Sequence, residues 1–202
     1  NTSGSSNVFV GRTSGVKNNG SFNVFLGRDA GYFNTSGEEN LFLGTKTGEM
    51  NTEGNQNTFV GRMAGKNNQT GSNNVYLGAF AGNDNSGGSG NIYIGSNSGF
   101  NEQNSNRLYI ENSDADSDNA LIYGEFDNNI LRLNADVTIK GKLNISGSGN
   151  NNLFIGDSAG YNNSGNQNTF TGSHAGFLNN NGSYNLFNGY SAGYSNSDGS
   201  FN

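Results

Sequence analysis

One phrase recurs nine times along this chain: Asn, apolar, aromatic, apolar, Gly, two variable residues, a small residue, Gly, then a polar turn. Copies open at Asn7, Asn23, Asn40, Asn57, Asn74, Asn91, Asn152, Asn168 and Asn185. The step between openings is sixteen, as from Asn7 to Asn23, or seventeen, as from Asn23 to Asn40, except across one interruption between residues 107 and 150. A fixed period this short means that one small unit is stacked on itself, so the chain reads as a β-solenoid and its function as that of a rod. Positions below are counted from the opening Asn as position one.

Position three is aromatic in every copy, from Phe9 and Phe25 to Phe170 and Phe187, while positions two and four are mostly aliphatic, as in Val24/Leu26 and Ile92/Ile94. Successive side chains of a strand point to opposite faces, so the aromatic faces one way and its neighbours the other. Both faces are apolar, the pattern of a strand buried on two sides. A coil this short fills its own interior with one face only. The second face needs another surface, and identical chains around a shared axis supply it most economically. The expectation is a homo-oligomer, most simply a parallel homotrimer.

Gly at positions five and nine supplies the corners, and the Ala/Ser/Thr column at position eight implies tight packing there. A further Gly (Gly20, Gly37, Gly54, Gly71) ends most repeats amid Asn, Ser and Thr, which are turn residues. Stacked coils place each opening Asn over the next, where a ladder of side-chain amides is expected. The 41 Asn and 33 Gly, with few aliphatics, would on composition alone point to disorder. Two features argue for order: the apolar residues keep register across nine copies, and Pro is absent, as a continuous hydrogen-bonded stack requires.

Net charge is −6 with ten Lys plus Arg, and Arg12, Arg28 and Arg62 are spread one per repeat, so no basic patch offers itself to nucleic acid or anionic lipid. No apolar run reaches the length of a membrane span and no signal peptide is visible. The chain starts and stops inside its pattern, Asn202 reading as the first residue of a tenth unit, which leaves room for an anchor or signal outside this piece. The absence of Cys fits an extracellular protein that relies on stacking and oligomerisation rather than disulfides.

The interruption divides the chain into a six-repeat block (1–106), a non-repeat β insertion (107–150) and a three-repeat block (151–202). Leu108-Tyr109-Ile110 keeps the motif core, but Arg107 replaces the Asn and Glu111 the Gly. Strand-like runs follow at Ala120–Phe126, Ile130–Leu133 and Val137–Ile145, read as a collar or an intertwined module. Asp114, Asp116, Asp118 and Glu125 occupy positions 1, 3, 5 and 12 of a calcium-loop pattern, with Asn119 in place of its Gly and no helix flanking it. The plain reading is a solvated acidic loop; calcium uptake stays open. His174, the single His, lies beside Ser173 with no partnering acid in the sequence pattern and reads as a surface residue. The aromatics at position ten (Tyr32, Phe100, Tyr161, Phe177, Tyr194) suit either packing between coils or a stripe for sugar stacking, the former preferred. No catalytic, cofactor-binding or metal-binding residue is assigned, and an enzyme is not expected.

The units Asn-Val-Phe-Leu-Gly-Arg-Asp-Ala-Gly (23–31) and Asn-Leu-Phe-Ile-Gly-Asp-Ser-Ala-Gly (152–160) resemble the head repeats of trimeric autotransporter adhesins of the YadA type. The longer, aromatic- and Asn-rich version here, with 107–146, is more similar to tail-fibre-like proteins of Bacteroidetes, their phages and contractile injection systems. The resemblance implies a left-handed parallel β-roll, trimeric, serving as an extracellular fibre that contacts a cell-surface receptor or glycan. It departs in its longer period and in the aromatic at position three. An adhesin head and a spacer shaft are the alternatives.

Overall fold

The computed structural model describes residues 3–140 and 151–202, in which every regular element is a strand and no helix occurs. It forms two compact units, Asn1–Val137 and Thr138–Asn202. In the first, β1 (Val8–Val10), β2 (Val24–Leu26), β3 (Leu41–Leu43), β4 (Thr58–Val60), β5 (Val75–Leu77), β6 (Ile92–Ile94) and β7 (Arg107–Ile110) each pair in parallel with the next. Register follows the repeat: Phe9 lies opposite Phe25, Phe25 opposite Phe42, and Tyr93 opposite Tyr109. β8 (Ile122–Glu125) and β9 (Ile130–Leu133) then extend the same sheet as an antiparallel meander. In the second unit β10 (Leu153–Ile155), β11 (Thr169–Thr171) and β12 (Leu186–Asn188) repeat the parallel arrangement. Each unit is thus an all-β parallel solenoid, with seven rungs in the first, from six repeats and β7, and three in the second.

The strands of the nine repeats are three residues long because left-handed residues bend the chain on either side of them. Gly at position five takes φ near +135, as at Gly61, a region open to Gly alone. Position seven and the residue before each opening Asn also turn left-handed, although apart from Gly90 none of them is Gly: Met63 has φ 60 and Glu39 φ 58. Each such residue costs about 1–2 kcal/mol. The conformation is held because the backbone remains hydrogen-bonded from coil to coil through the corners, as in Gly27 N–H to Val10 O at 2.8 Å and Asp29 N–H to Arg12 O at 3.0 Å.

The coil interior holds the aromatic column. Phe25, Phe42, Phe59, Tyr76 and Tyr93 are fully buried, and their rings stack face to face with centroids 4.6–5.0 Å apart. Offset aromatic pairs contribute about 0.5–1.5 kcal/mol each beyond burial. Gly at position nine makes room for the ring: a Cβ on Gly48 would lie 2.5 Å from Cε2 of Phe42.

Two Asn columns satisfy the buried backbone. The opening Asn bridges to backbone of the next coil: Asn40 Nδ2 donates to Gly54 O at 2.8 Å, and Asn57 N–H donates to Asn40 Oδ1 at 2.9 Å. The amide-to-amide ladder expected of this column belongs instead to Asn at position twelve. There Asn51 Nδ2 donates to Asn34 Oδ1 at 2.6 Å and Asn68 Nδ2 to Asn51 Oδ1 at 2.8 Å, all three fully buried. The opening Asn is diverted because it stands where the chain leaves a turn, beside backbone groups that need partners.

Toward the meander both columns change. The amide of Asn85 turns, donating to Tyr93 Oη at 3.4 Å and accepting from Gly88 N–H at 2.7 Å, which leaves Asn68 Oδ1 without a partner among the described residues. In the sixth repeat Glu102 takes the place of the position-twelve Asn, and its carboxylate accepts from Asn104 N–H at 2.8 Å and Tyr109 O–H at 2.9 Å. Arg107 lacks the opening Asn side chain, yet its backbone N–H still donates to Asn91 Oδ1 at 2.8 Å, so β7 joins the stack as a seventh rung. Of the strands expected in the interruption, Ala120–Phe126 shortens to β8 and Ile130–Leu133 is β9. The third, Val137–Ile145, shows no strand over 137–140, and 141–145 lie outside the described residues.

Candidate interaction surface

With the aromatic inside the coil, positions two and four point outward. In the chain by itself Val8 and Val10 are 51% and 57% exposed, and Leu43, Leu77 and Ile94 are 43%, 37% and 37% exposed. Because the rungs stack in register, these side chains align into one stripe along the first unit, interrupted by a single hydroxyl at Thr58 and by no charge from β1 to β6. Successive rungs lie about 4.8 Å apart, so seven of them extend over roughly 30 Å. A contiguous apolar surface of a few hundred Å² marks an interaction site on a soluble protein. The corresponding positions of the second unit are mixed: Leu153/Ile155, Thr169/Thr171 and Leu186/Asn188.

The acidic loop does not gather its carboxylates around a centre. Asp116 Oδ1 accepts from Asn119 Nδ2 at 2.7 Å and from the Asn119 N–H, closing its own turn. Asp118 pairs with Arg132 at 3.1 Å. Glu125 sits on β8, where its carboxylate accepts from Tyr123 O–H at 2.8 Å and from Asn128 Nδ2. Among the described residues no group of three or more His, Asp or Glu side chains is placed to hold a metal ion. The loop does lean over the sixth coil to form a cleft of about 220 Å³ lined by Phe100, Glu102, Tyr109, Asp114 and Asp116. Glu102 and Asp116 there are already bonded to the chain's own donors.

Glu111, which replaces the corner Gly, holds the loop in place. Its carboxylate takes the Leu121 N–H at 2.7 Å and the Asn112 N–H, and these bonds, Leu121 first, hold its pKa below the usual value. Glu125 is lowered too, by Asn128 and then by the Tyr123 hydroxyl. Burial, with the bond to Glu125 second, pushes Tyr123 up to about 12, and burial raises Tyr109 further.

In the second unit His174 Nδ1 lies 2.8 Å from Ser173 Oγ, and its ring packs 5.5 Å from Phe177 and 6.2 Å from Tyr190. The position-ten aromatics of this unit stack on one another, Tyr161 on Phe177 at 5.2 Å and Phe177 on Tyr194 at 5.1 Å, nearly parallel. Phe177 has both faces covered by its neighbours in this ladder, whereas a sugar stacks on a free ring face. In the first unit Tyr32 and Phe100 stand in coils whose neighbours carry Val16, Glu49 and Asn83 at this position, so no continuous aromatic column forms there. No helix among the described residues is long and apolar enough to cross a membrane.

Sequence patterning anticipated the outward stripe. It did not find the position-twelve Asn or the exchange at Glu102, although both were visible as a column of Asn with one acid in it. No family model, curated protein or solved structure matches the chain.

Proposed function

We propose that the chain is part of a homotrimeric extracellular fibre, belonging to a phage tail or contractile injection particle, that attaches to a receptor or glycan on a target cell. The supporting observation is the uncharged aliphatic stripe on the outer face of β1–β6, half exposed in the single chain. Three copies packed around an axis parallel to the stack remove it from water layer by layer. Burying each half-exposed aliphatic contributes about 1 kcal/mol, so the stripe is strong enough to drive association. Left-handed coils come with this reading from the resemblance to YadA-type heads.

Attachment would use the polar turns, presented three-fold, so that weak sites combine through multivalency. The reading is one of binding and support without catalysis, nucleic-acid contact or membrane insertion. The second reading, a spacer shaft, is favoured by turn side chains that bond to the next coil rather than outward, as Thr35 Oγ1 does to Thr52 O at 2.9 Å and Thr52 Oγ1 to Gln69 O at 3.0 Å. Binding on a glycan array supports attachment; silence supports the spacer.

Sedimentation equilibrium tests the assembly. The expected mass is three times the 21.3 kDa chain. Leu43→Glu, which puts a carboxylate into the stripe, is expected to give a monomer with unchanged β circular dichroism. A monomeric wild-type chain with the same spectrum would remove the basis of the fibre reading.

A further inference from the structure

The meander is the place where the repeat stops and the outward stripe does not. Cross-strand partners share a face of a sheet. Leu108 and Ile110, the outward residues of β7, lie opposite Gly124 and Ile122 of β8, which lie opposite Leu131 and Leu133 of β9. The chain therefore reverses direction twice while keeping Leu108, Ile110, Ile122, Leu131 and Leu133 on the same side, with only Ile130 of the aliphatics in these strands on the other. The opposite face collects Arg107, Tyr109, Tyr123, Glu125 and Arg132, with the Arg132 guanidinium 5.4 Å from the Tyr123 ring centroid. Charge is thus sorted to one side, and the outward side of the meander carries none.

β9 is also one of the two edge strands of the nine-stranded sheet, and all four of its residues are exposed although three are aliphatic, Leu131 at 63%. An uncovered apolar edge strand invites pairing and is normally shielded. The stripe from β1 to β9 runs about 40 Å, adding β8 and β9 to the parallel rungs at the strand spacing. A partner meeting it rung for rung must carry the same spacing and the same lack of charge, which another copy of this chain does.

We infer that the outward face of the meander, Ile122, Leu131 and Leu133, is covered by the same face of neighbouring copies, so that the interface between chains continues past the repeats into β8 and β9. The inference rests on the homotrimer reading above. It makes the non-repeating module part of the contact between chains rather than a flap on a finished stack. Successive repeats offer nearly interchangeable rungs, Val24/Leu26 beside Leu41/Leu43, whereas the meander occurs once. A contact there penalises a slip by one coil.

The chain has no Cys, so single Cys residues report proximity without background. Under mild oxidation of the full chain, Leu77→Cys and Leu131→Cys are both expected to form disulfides between copies, and Arg132→Cys, on the opposite face, at least tenfold less. Interchain disulfide at residue 77 but none at 131 would overturn the inference and leave the trimer standing. A monomer cross-linked at neither position would overturn both. Equal yields at 131 and 132 would also overturn it, since contact would then not be confined to one face.

Discussion

At the residue scale the interior is least well satisfied around the tyrosines. Phe at position three needs nothing but stacking partners, whereas Tyr brings a hydroxyl into a dry coil. The Tyr76 hydroxyl is buried and has no hydrogen-bond partner of good geometry among the described residues. Asn91, whose side chain acts on it, has Nδ2 committed to Asn104 O at 2.9 Å and Oδ1 to Arg107 N–H at 2.8 Å. Tyr109, by contrast, donates to Glu102. A buried unsatisfied hydroxyl costs about 1–3 kcal/mol, and a bond to a charged group contributes about 1.5–3 kcal/mol. Tyr76→Phe is therefore expected to stabilise the first unit by about 1 kcal/mol and Tyr109→Phe to destabilise it by a similar amount or more. Urea unfolding of the two variants against wild type measures both, and shifts of the same sign would contradict this account of the hydroxyls.

At the element scale the meander depends on pH in a way that the coils do not. Its loop and strand are tied by the carboxylates of Glu111 and Glu125, both held below the usual 4.5 by the donors they accept. A group whose pKa is lower in the folded chain stabilises it above the unfolded value and ceases to do so as pH falls through the folded value. The coils are held instead by Asn amides, which do not titrate. Lowering the pH from 6 to 3 is expected to reduce the hydrogen-exchange protection of the Leu121 amide while amides of β3 and β4 keep theirs. Uniform loss of protection, or none, would show that these carboxylates do not hold the loop. The register of β7 belongs to the same scale: its parallel pairing with β6 and the bond from the Arg107 N–H to Asn91 Oδ1 show that a segment lacking the opening Asn still stacks.

At the scale of the whole molecule each coil of the first unit touches chiefly the coils on either side, so stability is expected to behave as a one-dimensional sum of coils and their interfaces. Gly48 lies mid-stack and Gly15 in the first coil, both with left-handed φ and both against a ring: a Cβ would lie 2.5 Å from Phe42 Cε2 and 2.7 Å from Phe9 Cε2 respectively. Ala at either site combines the left-handed penalty with overpacking, about 2–4 kcal/mol. Gly48→Ala is expected to lower the unfolding midpoint of the unit, and Gly15→Ala to fray the first coil with little change in midpoint. Thermal melts with residue-resolved exchange distinguish the two, and identical midpoints would argue against neighbour-by-neighbour stacking.

The amino-acid sequence by itself determined the solenoid, because a short fixed period with one aromatic flanked by two aliphatics admits few other ways to bury both. It also determined which glycines turn corners, since those columns admit nothing else. Three things were decided only in the tertiary structure. Left-handed backbone at residues such as Glu39 and Met63 has no signature in residue type, being imposed by the bonds of neighbouring coils on both sides. Which Asn column forms the amide ladder depends on which one the turns leave free of backbone claims. The continuation of the apolar face through an antiparallel meander depends on how β7, β8 and β9 align, and alignment is a property of pairing that no single strand carries.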